Sequence, residues 1–235
     1  YEEGWDAGIA TNANFQKGVG SSTNVSWKSP KIGGTTFQIA YAPQNDGAQT
    51  AKKGVSGVDT NFGSGWDIVL DTGTADGAIN MFVGGSRTEL DNKIQAGRDL
   101  TGDHEEAVVG LKFALGPVAL GGQVSAERTR SQTRNTAELY GNSSWGIAFN
   151  VNDSLSVSYS EARHLMAKTQ KATTVAEGQE VYTPKSWMRG DSIQVAYTIG
   201  GVGLKYARTT YDNTAFSFDA KIPRESQIVA VSLAF

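Results

Sequence analysis

The sequence predicts an all-β fold, an antiparallel transmembrane β-barrel with about 11–12 strands in this chain. Short runs alternate apolar and polar residues with a period of two, which is typical of strands with two different faces. The connections alternate between short turns and long loops, as in outer-membrane barrels, where the short turns are periplasmic and the long loops are external. The last run, Ser226–Phe235, ends on an aromatic residue, which suits a membrane–water interface better than a terminus fraying in water.

Roughly eleven runs have the length that a tilted membrane strand needs. Gly116-Pro117 and Gly200-Gly201 are examples of the short turns between them, because these residues favour tight turns. Polar stretches near Glu89–Asp103 and Arg163–Gly190 are examples of the predicted long loops. The runs are Thr23–Lys28, Thr36–Ala42, Trp66–Thr72, Ala78–Ser86, Glu106–Leu115, Val118–Arg128, Trp145–Val151, Leu155–Ala162, Ser192–Ile199, Val202–Thr210 and Ser226–Phe235.

The composition narrows the class of protein. Mean hydropathy is -0.33, yet barrel strands average to nearly neutral values because their two faces differ. The chain has no cysteine, which excludes a disulfide framework and a thiolate metal site. The net charge of -3, with both signs mixed, gives no indication of a nucleic-acid partner. Because the sequence begins at Tyr1 without a signal segment, we expect a removed signal or a missing amino-terminal part.

The sequence predicts no catalytic residue, no metal site and no cofactor. Ser160 precedes His164 by four residues, which is too far along a strand for a direct hydrogen bond. His104 and His164 are distant from each other and no H-E-x-x-H motif occurs. Acidic residues in the predicted loops lack the regular spacing of a calcium site and are read as solvated side chains: Asp46, Asp59, Asp91, Asp99 and Asp103.

Opposite the apolar positions lies a set of polar residues. Any one of them could be a solvated side chain on a sheet surface. As a set facing inward in a closed barrel, they are predicted to line a water-filled channel. The predicted pore-lining residues are Lys28, Gln38, Asp67, Asp71, Asn80, Glu106, Lys112, Gln123, Glu127, Asn150, Gln194 and Lys205.

The apolar positions are predicted to face lipid, with aromatic residues forming a girdle at each membrane interface. Trp27, Phe37 and Phe235 adjoin short turns or the terminus, so they belong to one girdle. Tyr41, Trp66 and Trp145 adjoin predicted long loops, so they are assigned to the other girdle, on the outer side of the membrane. The alternative is a soluble all-β binding protein, such as a lectin-like module, in which the same faces would pack between two sheets.

Two segments resemble general porins of the Gram-negative bacterial outer membrane. N-V-S-W-K-S-P-K-I-G-G-T-T-F-Q-I-A-Y, Asn24–Tyr41, is similar to the strand–turn–strand that follows the porin constriction loop. The terminal V-S-L-A-F is similar to the last porin strand with its final Phe. The resemblance covers about Asn14 to Phe235. It implies a channel for passive diffusion of ions and small hydrophilic solutes, lipid and lipopolysaccharide as partners, and a homotrimer.

The resemblance also implies a single barrel domain over residues 1–235. Residues 1–18 would end the constriction loop, and residues 19–235 would supply strands six to sixteen of a sixteen-strand barrel. Glu2, Glu3 and Asp6 would then place carboxylates at the constriction and favour cations weakly. Gly4–Phe15 also alternates, so a complete twelve-strand barrel is the alternative. A barrel-type outer-membrane hydrolase is a further alternative.

Overall fold

The computed structural model describes residues 18–19, 23–43, 62–90, 103–129, 137–168, 185–216 and 223–233. Within these ranges no helix is long and apolar enough to cross a membrane. The described residues form eleven strands: β1 Val25–Lys28, β2 Thr35–Ala42, β3 Phe62–Gly73, β4 Ile79–Leu90, β5 His104–Leu115, β6 Val118–Arg128, β7 Ala137–Asn150, β8 Leu155–Lys168, β9 Lys185–Ile199, β10 Val202–Asp212 and β11 Arg224–Leu233.

All eleven strands belong to one antiparallel sheet in which each strand pairs with its neighbours in sequence. The all-β prediction is therefore confirmed, and each predicted run corresponds to one strand. In the described part of the chain, β1 and β11 are the two edges of the sheet and do not pair with each other. The sheet is a meander of the kind that forms the wall of a membrane barrel.

The register sorts the side chains onto two faces, because paired residues of antiparallel strands point to the same side. Trp27 pairs with Ile39, and Ile39 pairs with Ile68. We call this side of the sheet the apolar face. Lys28 pairs with Gln38 on the opposite side, which we call the polar face.

Short turns connect alternate pairs of strands, and their local chemistry explains where they form. Gly200 and Gly201 have φ of 52° and 84° between β9 and β10, a left-handed conformation that glycine adopts readily. In the turn between β3 and β4, the Thr74 hydroxyl and the Ala78 N–H donate to the Asp76 carboxylate. These hydrogen bonds hold the pKa of Asp76 below its usual value.

The strands extend further on the side of the long connections than the sequence predicts. β4 continues to Leu90, two residues into the predicted loop Glu89–Asp103. β8 continues to Lys168 and β9 begins at Lys185, so the predicted loop Arg163–Gly190 was too long. Charged residues occupy the apolar face in these segments, and the alternation on which the prediction rested therefore disappears.

This extension also corrects the expected positions of two aromatic residues. Trp66 lies within β3, which begins at Phe62, and Trp145 lies well inside β7, which begins at Ala137. Neither residue adjoins a long connection. β7 has 14 residues, more than the roughly 9–11 that a tilted membrane strand needs. The long strands can therefore continue beyond a bilayer on this side.

The buried core is small and lies on the polar face. One cluster consists of Met166, Met188, Tyr211 and Phe216, and a second contains Val19 with Ala40 and Ala42. The large side chains of the apolar face are solvent-accessible instead; the exposed fraction of Val229, for example, is 71%. A soluble sandwich would cover such a face with a second sheet, whereas the described strands form one sheet.

Candidate functional site

The twelve residues that the sequence assigns to a channel wall all lie on the polar face. Asp67 pairs with Ser86, Ser86 with Glu106, and Glu106 with Glu127, so the row continues across β3 to β6. The side chains differ in exposure. Lys28, Lys112, Asn150 and Lys205 are exposed; Gln38, Asp67, Asp71, Asn80, Gln123 and Gln194 are half-buried; Glu106 and Glu127 are buried.

The aromatic residues that the sequence assigns to girdles lie on the apolar face wherever the structure describes them. Trp27 and Phe37 contact each other with ring centroids 6.2 Å apart. Tyr41 pairs with Trp66 across β2 and β3, and Trp145 pairs with Gly122, a neighbour of exposed Val124 on that face. Phe235 and the constriction-loop candidates Glu2, Glu3 and Asp6 lie outside the described residues, as does the alternative strand 4–15.

Glu106 and Glu127 are not the solvated channel side chains that the sequence suggested. They are directly opposite each other on β5 and β6, with 6% and 2% of their surface exposed. His104 Nε2 lies 2.8 Å from Glu127 Oε1, and the Ser86 hydroxyl donates to Glu106 Oε2 at 2.7 Å. Side chains from three neighbouring strands thus surround both carboxylates.

A short segment that precedes β1 lies against the same part of the polar face. The Gly18 N–H donates to Glu106 Oε2 at 2.9 Å, and the Val19 N–H donates to Asp67 Oδ2 at 3.0 Å. Gly18 has φ of 58°, and a Cβ there would collide with the Asp67 carboxylate. Two carboxylates of the polar face therefore bind the consecutive backbone amides of Gly18 and Val19. We call these two residues the crossing segment.

Beside this segment the polar face forms a cavity of about 220 Å³, lined by Gly18 and by residues of β2 to β5. Its polar lining includes Gln38, Asp67, Ser86 and Glu106. The cavity is open to one side. It is large enough for several water molecules, each of which occupies about 30 Å³ in the liquid.

His164 occupies a second buried position on the polar face. Its Nδ1 lies 2.6 Å from Asn142 Oδ1, and the Asn142 amide donates to Ser125 Oγ at 3.3 Å. Asn142 and His164 are register partners on β7 and β8. Ser160 lies four residues away along β8, roughly 13 Å at strand spacing, so this pair does not bring Ser160 to the imidazole.

We call the strand ends that adjoin the long connections the loop-side ends. There the apolar face carries a row of ion pairs instead of apolar side chains. Glu161 accepts from Arg163 at 2.8 Å and from Arg189 at 3.1 Å. Arg208 and Glu225 form a bidentate pair at 2.9 and 3.0 Å. Arg87 is paired with Asp103 through a single carboxylate oxygen, Oδ2. The side chains of the four arginines are 53–58% exposed; we call them the arginine row.

The residues after β10 turn back over the polar face. Asn213 donates from its amide to Ser186 Oγ at 3.0 Å and to the Trp187 carbonyl at 2.8 Å. Asn213 and Phe216 both have positive φ, 60° and 50°. The Phe216 ring is 4% exposed and packs in the cluster with Met188 and Tyr211. Residues 213–216 therefore narrow the loop-side end of the polar face.

The grouping of His104, Glu106 and Glu127 was missed by the sequence analysis, although a signal was present. His104 and Glu106 are two residues apart, so they share a face of one strand. The turn at Gly116-Pro117 fixes the register of the hairpin, because Leu115 pairs with Val118. Nine residues further from the turn along each strand, Glu106 lies opposite Glu127.

These features define a class of protein. A single antiparallel meander with an exposed apolar face and a polar face of charged and amide side chains is the wall of an outer-membrane β-barrel. A family profile described as Gram-negative porin matches residues 2–182, well over half of the chain. The chain therefore belongs to the Gram-negative porin family and is a protein of the outer membrane.

Other comparisons add little. No curated protein matches the chain. Among solved structures, it is similar to the FrpB iron transporter from Neisseria meningitidis (F5-1 variant, apoprotein form), with 10% identity and a TM-score of 0.47. That match covers 87% of this chain but only 41% of the transporter. The chain thus spans less than half the length of that protein, and no functional argument rests on it.

Proposed function

We propose that this chain forms the wall of a water-filled channel through which ions and small hydrophilic solutes diffuse passively. The observation that supports this function is the separation of residue types by the register: all twelve predicted wall residues share the polar face. The apolar face carries exposed Trp, Val and Leu side chains. In a closed barrel, lipid would cover the apolar face and water would fill the space along the polar face.

The contacts of Gly18 and Val19 support the proposal that residues 1–18 end a constriction loop. Both amides are bound to carboxylates of the wall, as expected of a segment folded into a channel. On this view the chain is a single barrel domain and supplies strands six to sixteen of a sixteen-strand barrel. The even number of strands that closure requires would then include strands outside this sequence.

Two partners follow from the same proposal. The arginine row presents exposed guanidinium groups on the lipid-facing side, next to the loops, where they can bind the phosphate groups of lipopolysaccharide. Membrane lipid would cover the remainder of the apolar face. The proposed assembly is a homotrimer, which rests on the resemblance to porins. Native mass spectrometry in detergent tests it, and a spectrum containing monomer alone would refute the trimer.

Channel activity is tested in a planar lipid bilayer with the refolded protein, including the strands outside this sequence that would close the barrel. We expect discrete, ohmic conductance steps, and vesicles that contain the protein should swell in solutions of small sugars. The control is the same preparation after heat denaturation. If the folded protein inserts into vesicles but produces neither conductance nor swelling, the proposed channel function is wrong. Hydrolysis of a lipid ester by the folded protein would instead favour the hydrolase alternative.

A further inference from the structure

Three metal-ligating side chains meet on the polar face where β4, β5 and β6 adjoin. His104 and Glu106 lie two residues apart on β5, and Glu127 is the register partner of Glu106 on β6. One ligand atom from each residue lies within 4.8 Å of the other two. Ligands bound to tetrahedral zinc at about 2.1 Å lie roughly 3.4 Å apart. Small side-chain rotations would therefore bring all three donors onto one ion.

The surroundings of the cluster favour a bound cation. His104, Glu106 and Glu127 are 3%, 6% and 2% exposed, so these side chains are shielded from bulk water. Two carboxylates directly opposite each other on neighbouring strands repel, and this repulsion grows where the dielectric constant is low. A divalent ion between them would be attracted by both carboxylates.

The cluster is also oriented in advance by its neighbours. The Ser86 hydroxyl and the Gly18 N–H both donate to Glu106 Oε2, which holds that oxygen in place. His104 Nε2 and Glu127 Oε1 are 2.8 Å apart, so these two atoms are already adjacent and a bound ion would replace the hydrogen bond between them. Hydrogen bonds of this kind to the ligands of a metal commonly strengthen metal binding by 10–100-fold.

We propose that His104, Glu106 and Glu127 form a binding site for a divalent transition metal ion of the zinc type. One imidazole nitrogen and two carboxylate oxygens suit Zn²⁺, Mn²⁺ or Fe²⁺. Calcium and magnesium prefer sites made of oxygen ligands alone. Three protein ligands would leave a further coordination position for water. Because the site lies within the wall, its existence does not depend on the channel function proposed above.

The test is a titration of the full chain, refolded in detergent and stripped with a chelator, using Zn²⁺ alone. We expect one ion per chain, with the affinity reduced at least tenfold in each of His104→Asn, Glu106→Gln and Glu127→Gln. The matched control is His164→Asn, which removes the other buried histidine of the polar face and should leave zinc binding unchanged. Absence of stoichiometric binding, or an equal loss in His164→Asn, would overturn the proposal.

A second measurement uses the unaltered protein, so it stands even if a variant fails to fold. Co²⁺ bound by one imidazole and two carboxylates in a site of low coordination number should give intense visible absorption that Zn²⁺ abolishes. A tenfold excess of Ca²⁺ should leave the absorption intact. The weak spectrum of hexahydrated cobalt, or displacement of cobalt by Ca²⁺ as readily as by Zn²⁺, would show that the three residues form only a hydrogen-bonded structural cluster.

Discussion

Glu106 and Glu127 face each other across β5 and β6, and both are nearly inaccessible to solvent. The row of register partners to which they belong runs from Asp67 through Ser86 on one side and to Tyr140 on the other. Glu106 and Asp67 of this row accept hydrogen bonds from the backbone amides of the crossing segment. A substitution here should therefore affect both the wall and the segment lying against it.

The orientation of the two faces is tested by neighbouring residues of β6. Val124 lies on the apolar face and is 53% exposed, whereas Gln123 lies on the polar face opposite Gly110. We expect Val124→Arg to destabilise the protein in lipid vesicles by about 2–4 kcal/mol, because a charge would enter the bilayer. Gln123→Arg should cost much less. Equal losses of unfolding free energy in urea would contradict the assignment of the faces.

The attachment of the crossing segment is tested at Gly18. Ala at this position would need a left-handed backbone, which costs roughly 1–2 kcal/mol, and its Cβ would collide with Asp67. We expect the amides of residues 18 and 19 to exchange hydrogen at least about tenfold faster in Gly18→Ala. Gly116→Ala is the control, since its φ is 57° but nothing surrounds the added Cβ. Unchanged exchange in Gly18→Ala would argue against the attachment.

Ion selectivity should follow the exposed charges of the polar face. The predicted wall residues include four acids, Asp67, Asp71, Glu106 and Glu127, against three lysines, Lys28, Lys112 and Lys205, and this excess predicts a weak preference for cations. Glu106 and Glu127, however, are buried. We expect Lys112→Gln to move the zero-current potential under a salt gradient toward cation selectivity, because an exposed positive charge leaves the wall. The shift should shrink at 1 M salt, where the Debye length is about 3 Å.

The control for Lys112 is Lys31→Gln. Lys31 is an exposed residue in the turn between β1 and β2, away from the polar wall. The Lys31→Gln substitution should leave the zero-current potential almost unchanged. Equal shifts in the two variants would mean that the polar face does not line the conducting path.

The Phe216 ring is predicted to hold residues 213–216, which follow β10, against the polar face. Replacing Phe216 with Ala removes a buried side chain from its contacts with Met166, Met188 and Tyr211, a change that commonly costs about 3–5 kcal/mol. We expect faster proteolysis near residues 213–216 and a larger single-channel conductance. Phe216→Leu should retain most of the contacts. Normal proteolysis and conductance in Phe216→Ala would show that the ring does not hold the segment.

The arginine row is predicted to bind lipopolysaccharide phosphates. We expect the double variant Arg163→Gln, Arg189→Gln to retain less lipopolysaccharide during purification, as measured by native mass spectrometry. Arg224→Gln is the control, because Arg224 is exposed near the same end of the sheet but lies on the polar face. Equal retention by both variants would contradict the proposed lipid contact.

The strands and the two faces could be predicted from the sequence because both depend on local chemistry. Glycine-containing turns fix one end of each hairpin, and a period of two identifies the face of every residue between them. Leu111 and Lys112, for example, are assigned correctly to opposite faces. The loop-side ends were missed because Arg163 and Arg189 replace apolar residues there, so the strands continue without the pattern that revealed them.

The tertiary structure decided which of these side chains act together. The sequence alone determined that Glu106 and Glu127 share a face, since strand geometry requires it. It did not determine that they would be buried or that Gly18, 88 residues from Glu106, would donate to one of them. Such contacts depend on how a connecting segment crosses the finished sheet. Many backbone paths satisfy the same local preferences, and only packing and hydrogen bonding between distant residues select one of them.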